Sequence, residues 1–196
     1  MKIESEKLYH IYNQGNNQET VFLNREDYIF FLTKVREKVL PFCEIVNYCL
    51  MPNHFHFLVN TNDYSTEEIM LGKLTLTRLS NGFRLLTSQY ATYFNHKYKR
   101  SGSLFRQKTK GKNLEDSEQG NYPFTCFHYI HQNPMKAKLC QKMEDWEFSS
   151  FKDYLGVRTG SLITKQTAYD LIDINEEYFY EESYQIIDDE NIYEIY

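Results

Sequence analysis

Cysteine is scarce here and unpatterned: Cys43, Cys49, Cys126 and Cys140 are the only four, with no CxxC pair and no knuckle-like spacing. That argues against a zinc ribbon or a disulfide framework and predicts reduced thiols in a core. Long apolar runs are also missing. No stretch approaches the ~20 residues that cross a bilayer, and Met1 to Leu8 lacks the apolar centre of a signal peptide. A cytoplasmic protein without a membrane partner is expected. No internal repeat is evident. The remaining composition, 41% hydrophobic and 25% charged over 196 residues, suits one compact domain with a proper core and room for a short appendage.

Positive charge is absent from the end of the chain. Residues 166–196 hold ten acidic side chains (Asp170, Asp173, Glu176, Glu177, Glu181, Glu182, Asp188, Asp189, Glu190 and Glu194) and no Lys or Arg. The net charge of −5 therefore conceals an asymmetry. With those ten set aside, 17 acidic residues face 22 basic ones, and residues 1–165 carry +5. A mildly basic domain with an acidic tail points to dealings with nucleic acid. Composition shifts after Gly156, which divides the chain into a domain over 1–156 and an acidic appendage over 157–196.

Local patterns give the order β-α-β-β-α-β-α. Lys7 to Gln14 alternates as a strand and Gly15-Asn16-Asn17 ends it. Asn24 caps a helix to about Leu40, with Asp27 at its third position and Pro41 as its stop. Cys43–Met51 and His54–Asn60 read as strands reversed at Pro52-Asn53. A long helix is expected from Thr66 to about Tyr98, with Gly72 and Gly82 as weak points. Leu104–Leu114 reads as a strand. A helix starts at Asn121 and ends at Pro134, with Met135–Cys140 as a short second helix. Trp146–Leu155 is aromatic-rich and expected to pack back onto the domain. This order fits an α+β sandwich of a mainly antiparallel sheet with helices on one or both faces.

Three segments carry chemistry. On the strand, His54 and His56 share a face because side chains alternate, so two neutral imidazoles converge and can hold a divalent cation. The rival is a pair of structural histidines, yet two of them in an apolar strand need a reason to be there. On the following helix, Tyr129 and Asn133 are four residues apart and stack on one face. A phenol with a pKa near 10 is a poor nucleophile, but a divalent cation that draws charge from a phosphate makes its attack feasible. The Asn133 amide oxygen can complete such a metal site; equally, Asn133 before Pro134 is a good helix terminator. Finally, Lys97, Lys99, Arg100, Arg106, Lys108, Lys110 and Lys112 fall in 16 residues free of acid. They suit phosphate neutralisation, with a lysine-protected edge strand as the rival. Arg106, Lys108, Lys110 and Lys112 share parity, so one strand face is expected to carry four cations.

In order, Leu50-Met51-Pro52-Asn53-His54-Phe55-His56 resembles the MPNHxH metal motif of the REP-associated tyrosine transposases, a branch of the single-tyrosine HUH (IS200-like) transposases. Tyr98 to Arg106 resembles their YxRxGxLWQ segment, Tyr129 to Leu139 their YIHxNPVRAGL, and Asp145 to Gly156 their EWPWSSYRDYLG. Coverage runs from about Tyr9 to Gly156. Phe105-Arg106 departs from the usual Trp-Gln and Met135-Lys136-Ala137-Lys138 is a looser version, but no catalytic group is lost. The resemblance implies a ferredoxin-like fold with the histidine strand central. It implies a metal-dependent DNA transesterase in which Tyr129 forms a 5′-phosphotyrosine link and releases a 3′-hydroxyl. It further implies Mg²⁺ or Mn²⁺ at His54 and His56 with Asn133 as the third, polar ligand. Its remaining implications are recognition of single-stranded, hairpin-containing DNA, action as monomer or homodimer, and residence with the nucleoid. Two other classes stay open: a domesticated hairpin-DNA binding protein with little chemistry, and a metal-dependent phosphodiesterase that uses water and leaves Tyr129 dispensable.

Overall fold

The alternation of Leu8 to Gln14 becomes β1 (Leu8–Gln14), and in the computed structural model, which describes residues 1–115 and 122–185, every later element is placed relative to it. α1 (Arg25–Lys38) starts at the expected cap. Asn24 accepts from the Asp27 amide, and the Asp27 carboxylate accepts from the Asn24 and Leu23 amides. β2 (Glu44–Met51) and β3 (His54–Asn60) follow as an antiparallel pair across Pro52-Asn53.

The expected long helix is two structures. After the single turn α2 (Asp63–Thr66), β4 (Glu68–Leu71) and β5 (Leu74–Thr77) pair as a hairpin, and only then does α3 (Arg78–Lys97) begin. Gly72 marks a turn, at φ +65°. Thr77 starts the helix by accepting from the Ser80 amide at 3.2 Å. Gly82, expected as a weak point, is where α3 crosses α1: a Cβ there would lie 2.2 Å from the Lys38 carbonyl oxygen.

The Leu104–Leu114 run is mostly not a strand. Phe105 bridges Gly15, residues 106–109 leave the sheet, and only β6 (Lys110–Asn113) pairs with β1. The excursion is held by Asn13, whose amide nitrogen donates to the Arg106 carbonyl and the Thr109 hydroxyl. α4 runs Tyr122–Lys136 with Pro134 inside it, so Pro134 does not end the helix; the chain exits through Lys138 at φ +58° with no second helix. The expected start at Asn121 lies outside the described residues. The short α5 (Phe151–Tyr154), α6 (Lys165–Ile172) and α7 (Phe179–Ser183) complete the fold.

The four-stranded sheet has order β2-β3-β1-β6 and is antiparallel throughout. With α1 joining β1 to β2 and α3 preceding β6, this is the ferredoxin-like arrangement. Strand alternation divides the interior in two. Tyr9 and Ile11 of β1 and Phe55, Phe57 and Val59 of β3 pack with Phe31 and Val35 of α1 and Phe83, Leu86 and Tyr90 of α3. The opposite face, through Cys49, Met51 and Leu58, packs with Cys126, Phe127 and Ile130 of α4, and with Phe151, Ala168, Ile172 and Phe179. Trp146 returns to the sheet, donating to the Leu50 carbonyl at 3.0 Å. All four cysteines are free thiols, three of them buried.

Candidate active site and nucleic-acid groove

The site lies on the α4 face of the sheet, one layer removed from the larger aromatic core. The register sets Tyr12 opposite His56 and Gln14 opposite His54 on β3, and Tyr12 opposite Lys110 on β6. One face thus carries His10, Tyr12, Gln14, His54, His56, Lys110 and Lys112, while Phe55 between the histidines is fully buried on the other side.

The two imidazoles stand edge to face with ring centres 4.8 Å apart. His56 is fully buried and its Nδ1 shares a hydrogen with His10 Nε2 across 2.8 Å. His54 Nδ1 is 2.6 Å from the Asn53 amide oxygen. The buried His54 Nε2 has no hydrogen bond of normal length, although Asn133 stands near enough to favour its protonated form. Burial dominates both groups: it pulls the His54 pKa down to about 4 and the His56 pKa well below the ordinary 6.5. Both rings are therefore neutral near pH 7, the form in which imidazole binds a metal.

α4 crosses this face and brings the tyrosine. The Tyr129 and His56 rings are T-shaped, with centres 6.2 Å apart, and the Lys136 ammonium lies 5.6 Å from the centre of the Tyr129 ring. Asn133 donates its amide nitrogen to the Tyr129 carbonyl at 2.9 Å, a bond that does not use its amide oxygen. The fold thus collects His54, His56, Tyr129 and Asn133, from segments more than 70 residues apart, around one spot. Among the described residues no three His, Cys, Asp or Glu side chains form a metal cluster, so a cation here rests on two histidines and an amide. Two neutral rings, one with a buried nitrogen lacking a normal hydrogen bond, fit that role.

Beside the histidines opens a cavity of about 500 Å³, lined by Tyr12, Asn13, Gln14, His54, His56, Arg106, Gln107, Lys108 and Lys110. Three of the seven expected DNA-binding cations are therefore at the site. The others are elsewhere. Lys97 pairs with the fully buried Asp27 at 2.8 Å and with Glu26 at 3.2 Å, tying α3 to α1. Arg100 pairs with Glu19 at 2.6 Å, and Lys99 occupies a left-handed turn at φ +51°. Lys112 shares the sheet face but stands over the Tyr122 ring at 4.5 Å. The expected four-cation strand face is thus reduced to Lys110 and Lys112, because residues 106–109 leave the sheet. Tyr129, 4% exposed, and Asn133 do not line the cavity. His10, Tyr12, Gln14 and Gln107 were not expected at the site. The strand alternation of β1 carried the signal for the first three, but only pairing with β3 shows which face they share.

A solved REP-associated tyrosine transposase, bound to a REP hairpin, superposes with a TM-score of 0.54. It shares this fold. The superposition covers 94% of this chain and 95% of that one at 16% sequence identity. No family model and no curated protein matches the sequence. At that identity the likeness carries the architecture, and residue roles rest on the geometry described above. No helix among the described residues is long and apolar enough to cross a membrane.

Proposed function

We propose that this chain cuts and rejoins single-stranded DNA with Tyr129 as the nucleophile. The observation that carries the reading is the convergence of the His54–His56 strand and the Tyr129–Asn133 helix on one sheet face beside a cation-walled cavity. The transposase of the same fold was solved with a hairpin, which supports hairpin-containing DNA as the substrate here. His54, His56 and Asn133 would hold Mg²⁺ or Mn²⁺. A cation bound there supplies charge withdrawal from the scissile phosphate, lowering the barrier to attack by a weak nucleophile. Arg106, Lys108 and Lys110 hold backbone phosphates. Asn133, fixed on the Tyr129 carbonyl, keeps the helix turn that bears the nucleophile in register with the histidines. The phenolic oxygen bonds to phosphorus as the bond to the 3′ oxygen breaks, and the proton lost by Tyr129 is matched by one gained at the new 3′-hydroxyl. Bond energy stays in the 5′-phosphotyrosine, so rejoining to another 3′ end needs no nucleotide cofactor.

Tyr129 is 4% exposed and does not line the cavity, so the reaction requires its hydroxyl to move toward the phosphate when DNA enters. The same burial favours a second reading, a hairpin-DNA binder with little chemistry. The test uses end-labelled single-stranded hairpin oligonucleotides, taken from repeats flanking the gene, with Mn²⁺ and a denaturing protein gel. A labelled adduct in the wild type that vanishes in Tyr129→Phe is expected. Cleavage that persists in Tyr129→Phe means hydrolysis by water, and binding without cleavage by either protein means the binder.

A further inference from the structure

We propose that His10 is a positioning residue for the histidine pair: it holds His56 in the tautomer with hydrogen on Nδ1 and the lone pair on Nε2. The choice of that tautomer rests on the metal reading of the site; the hydrogen bond between the two rings does not. His10 lies diagonally across the β1–β3 ladder from His56, on the same face, and both rings are fully buried. His10 Nε2 and His56 Nδ1 are 2.8 Å apart, the rings are within 19° of coplanar, and their centres are 5.0 Å apart. Two imidazoles reach that separation when the bridging nitrogens lie near the line of centres, so this is an in-plane hydrogen bond rather than a stack. On its face, His10 is held by the nearly parallel Tyr12 ring at 4.8 Å.

Such a bond needs one N–H and one lone pair, which couples the two tautomers. If His10 accepts, His56 presents the Nε2 lone pair, as a coordinating imidazole must. If His10 donates, His56 carries hydrogen on Nε2 and cannot coordinate through it. A metal ligand whose other ring nitrogen donates to a fixed acceptor is both oriented and made more basic. The chain supplies that acceptor from β1, a strand that contributes no ligand of its own.

The test compares wild type, His10→Leu and His10→Gln by nitrogen NMR of isotope-labelled histidines in metal-free protein. Wild type and His10→Gln, which keeps an acceptor at similar reach, are expected to show His56 as the Nδ1–H tautomer; His10→Leu is expected to lose it. An Nε2–H tautomer in wild type, or an unchanged His56 in His10→Leu, overturns the proposal. Titration with Mn²⁺ is expected to show affinity about 10–100-fold weaker in His10→Leu and largely restored in His10→Gln. Equal losses in both variants, alongside equal falls in unfolding midpoint, mark a packing role and also overturn it. If the wild type binds no Mn²⁺, the metal reading falls, while the tautomer spectra still decide the role of His10.

Discussion

Neutral histidines buried in a fold make it sensitive to acid, and His128 and His131 on α4 do so apart from the His54–His56 pair. His128 is 1% exposed with its Nδ1 3.0 Å from the Ser183 hydroxyl, and His131 is fully buried with its Nε2 2.8 Å from the Ser150 hydroxyl. Burial lowers the His128 pKa to about 4 and the His131 pKa well below the usual 6.5. The unfolded chain, with ordinary histidines, therefore takes up protons below pH 6.5 that the folded chain refuses. Stability is full above about pH 6.5 and is lost as pH falls toward 4, by about 1.4 kcal/mol per pH unit for each histidine. Urea midpoints followed by Trp146 fluorescence are expected to fall steadily between pH 7 and pH 5. Equal midpoints at the two pH values would contradict the neutral burial of these rings.

At the scale of elements, a cation that composition assigns to DNA serves instead to join two helices. Lys97 ends α3 against the capping box of α1, where Asp27 also accepts from Tyr98. Burial alone would raise the Asp27 pKa, but its hydrogen bonds to Lys97, Tyr98 and the Leu23 and Asn24 amides hold it below the usual value. Removing Lys97 leaves that carboxylate buried without its cation. Lys97→Met is expected to lower the denaturant midpoint of the fold, because Asp27 loses its cation, with hairpin affinity of the folded protein unchanged. A loss of affinity without a loss of stability would return Lys97 to the DNA-binding set. The sequence made this pair hard to see because its members lie 70 residues apart and only the packing of α1 on α3 brings them together.

For the molecule as a whole, the net charge of −5 is a poor guide to the potential at the groove, because positive charge is concentrated where residues 106–109 leave the sheet and Lys110 rejoins it beside β1. Each phosphate contact contributes about one unit to the slope of log affinity against log salt. Arg106→Gln, Lys108→Gln and Lys110→Gln are each expected to reduce that slope by about one, measured with a labelled hairpin across a salt series. Lys99→Gln is expected to leave it unchanged. A reduction of the slope by Lys99→Gln equal to that of Lys110→Gln would mean that DNA follows the turn after α3 rather than the cavity.

Local chemistry was sufficient for much of this. The capping box at Asn24, the strands on either side of Pro52-Asn53 and the shared face of His54 and His56 follow from side-chain preference and the two-residue repeat of a strand, which need no distant partner. The helical spacing of Tyr129 and Asn133 is equally local. Tertiary structure decided what depends on partners. A hairpin replaced the start of the expected long helix because Glu68–Leu71 and Leu74–Thr77 pair with each other, an outcome helix propensity does not weigh. The excursion of residues 106–109 and its cation wall depend on Asn13, and the seat of His10 against His56 depends on strand register. A sequence carries the alternation of each strand, but only pairing brings the faces of two strands together.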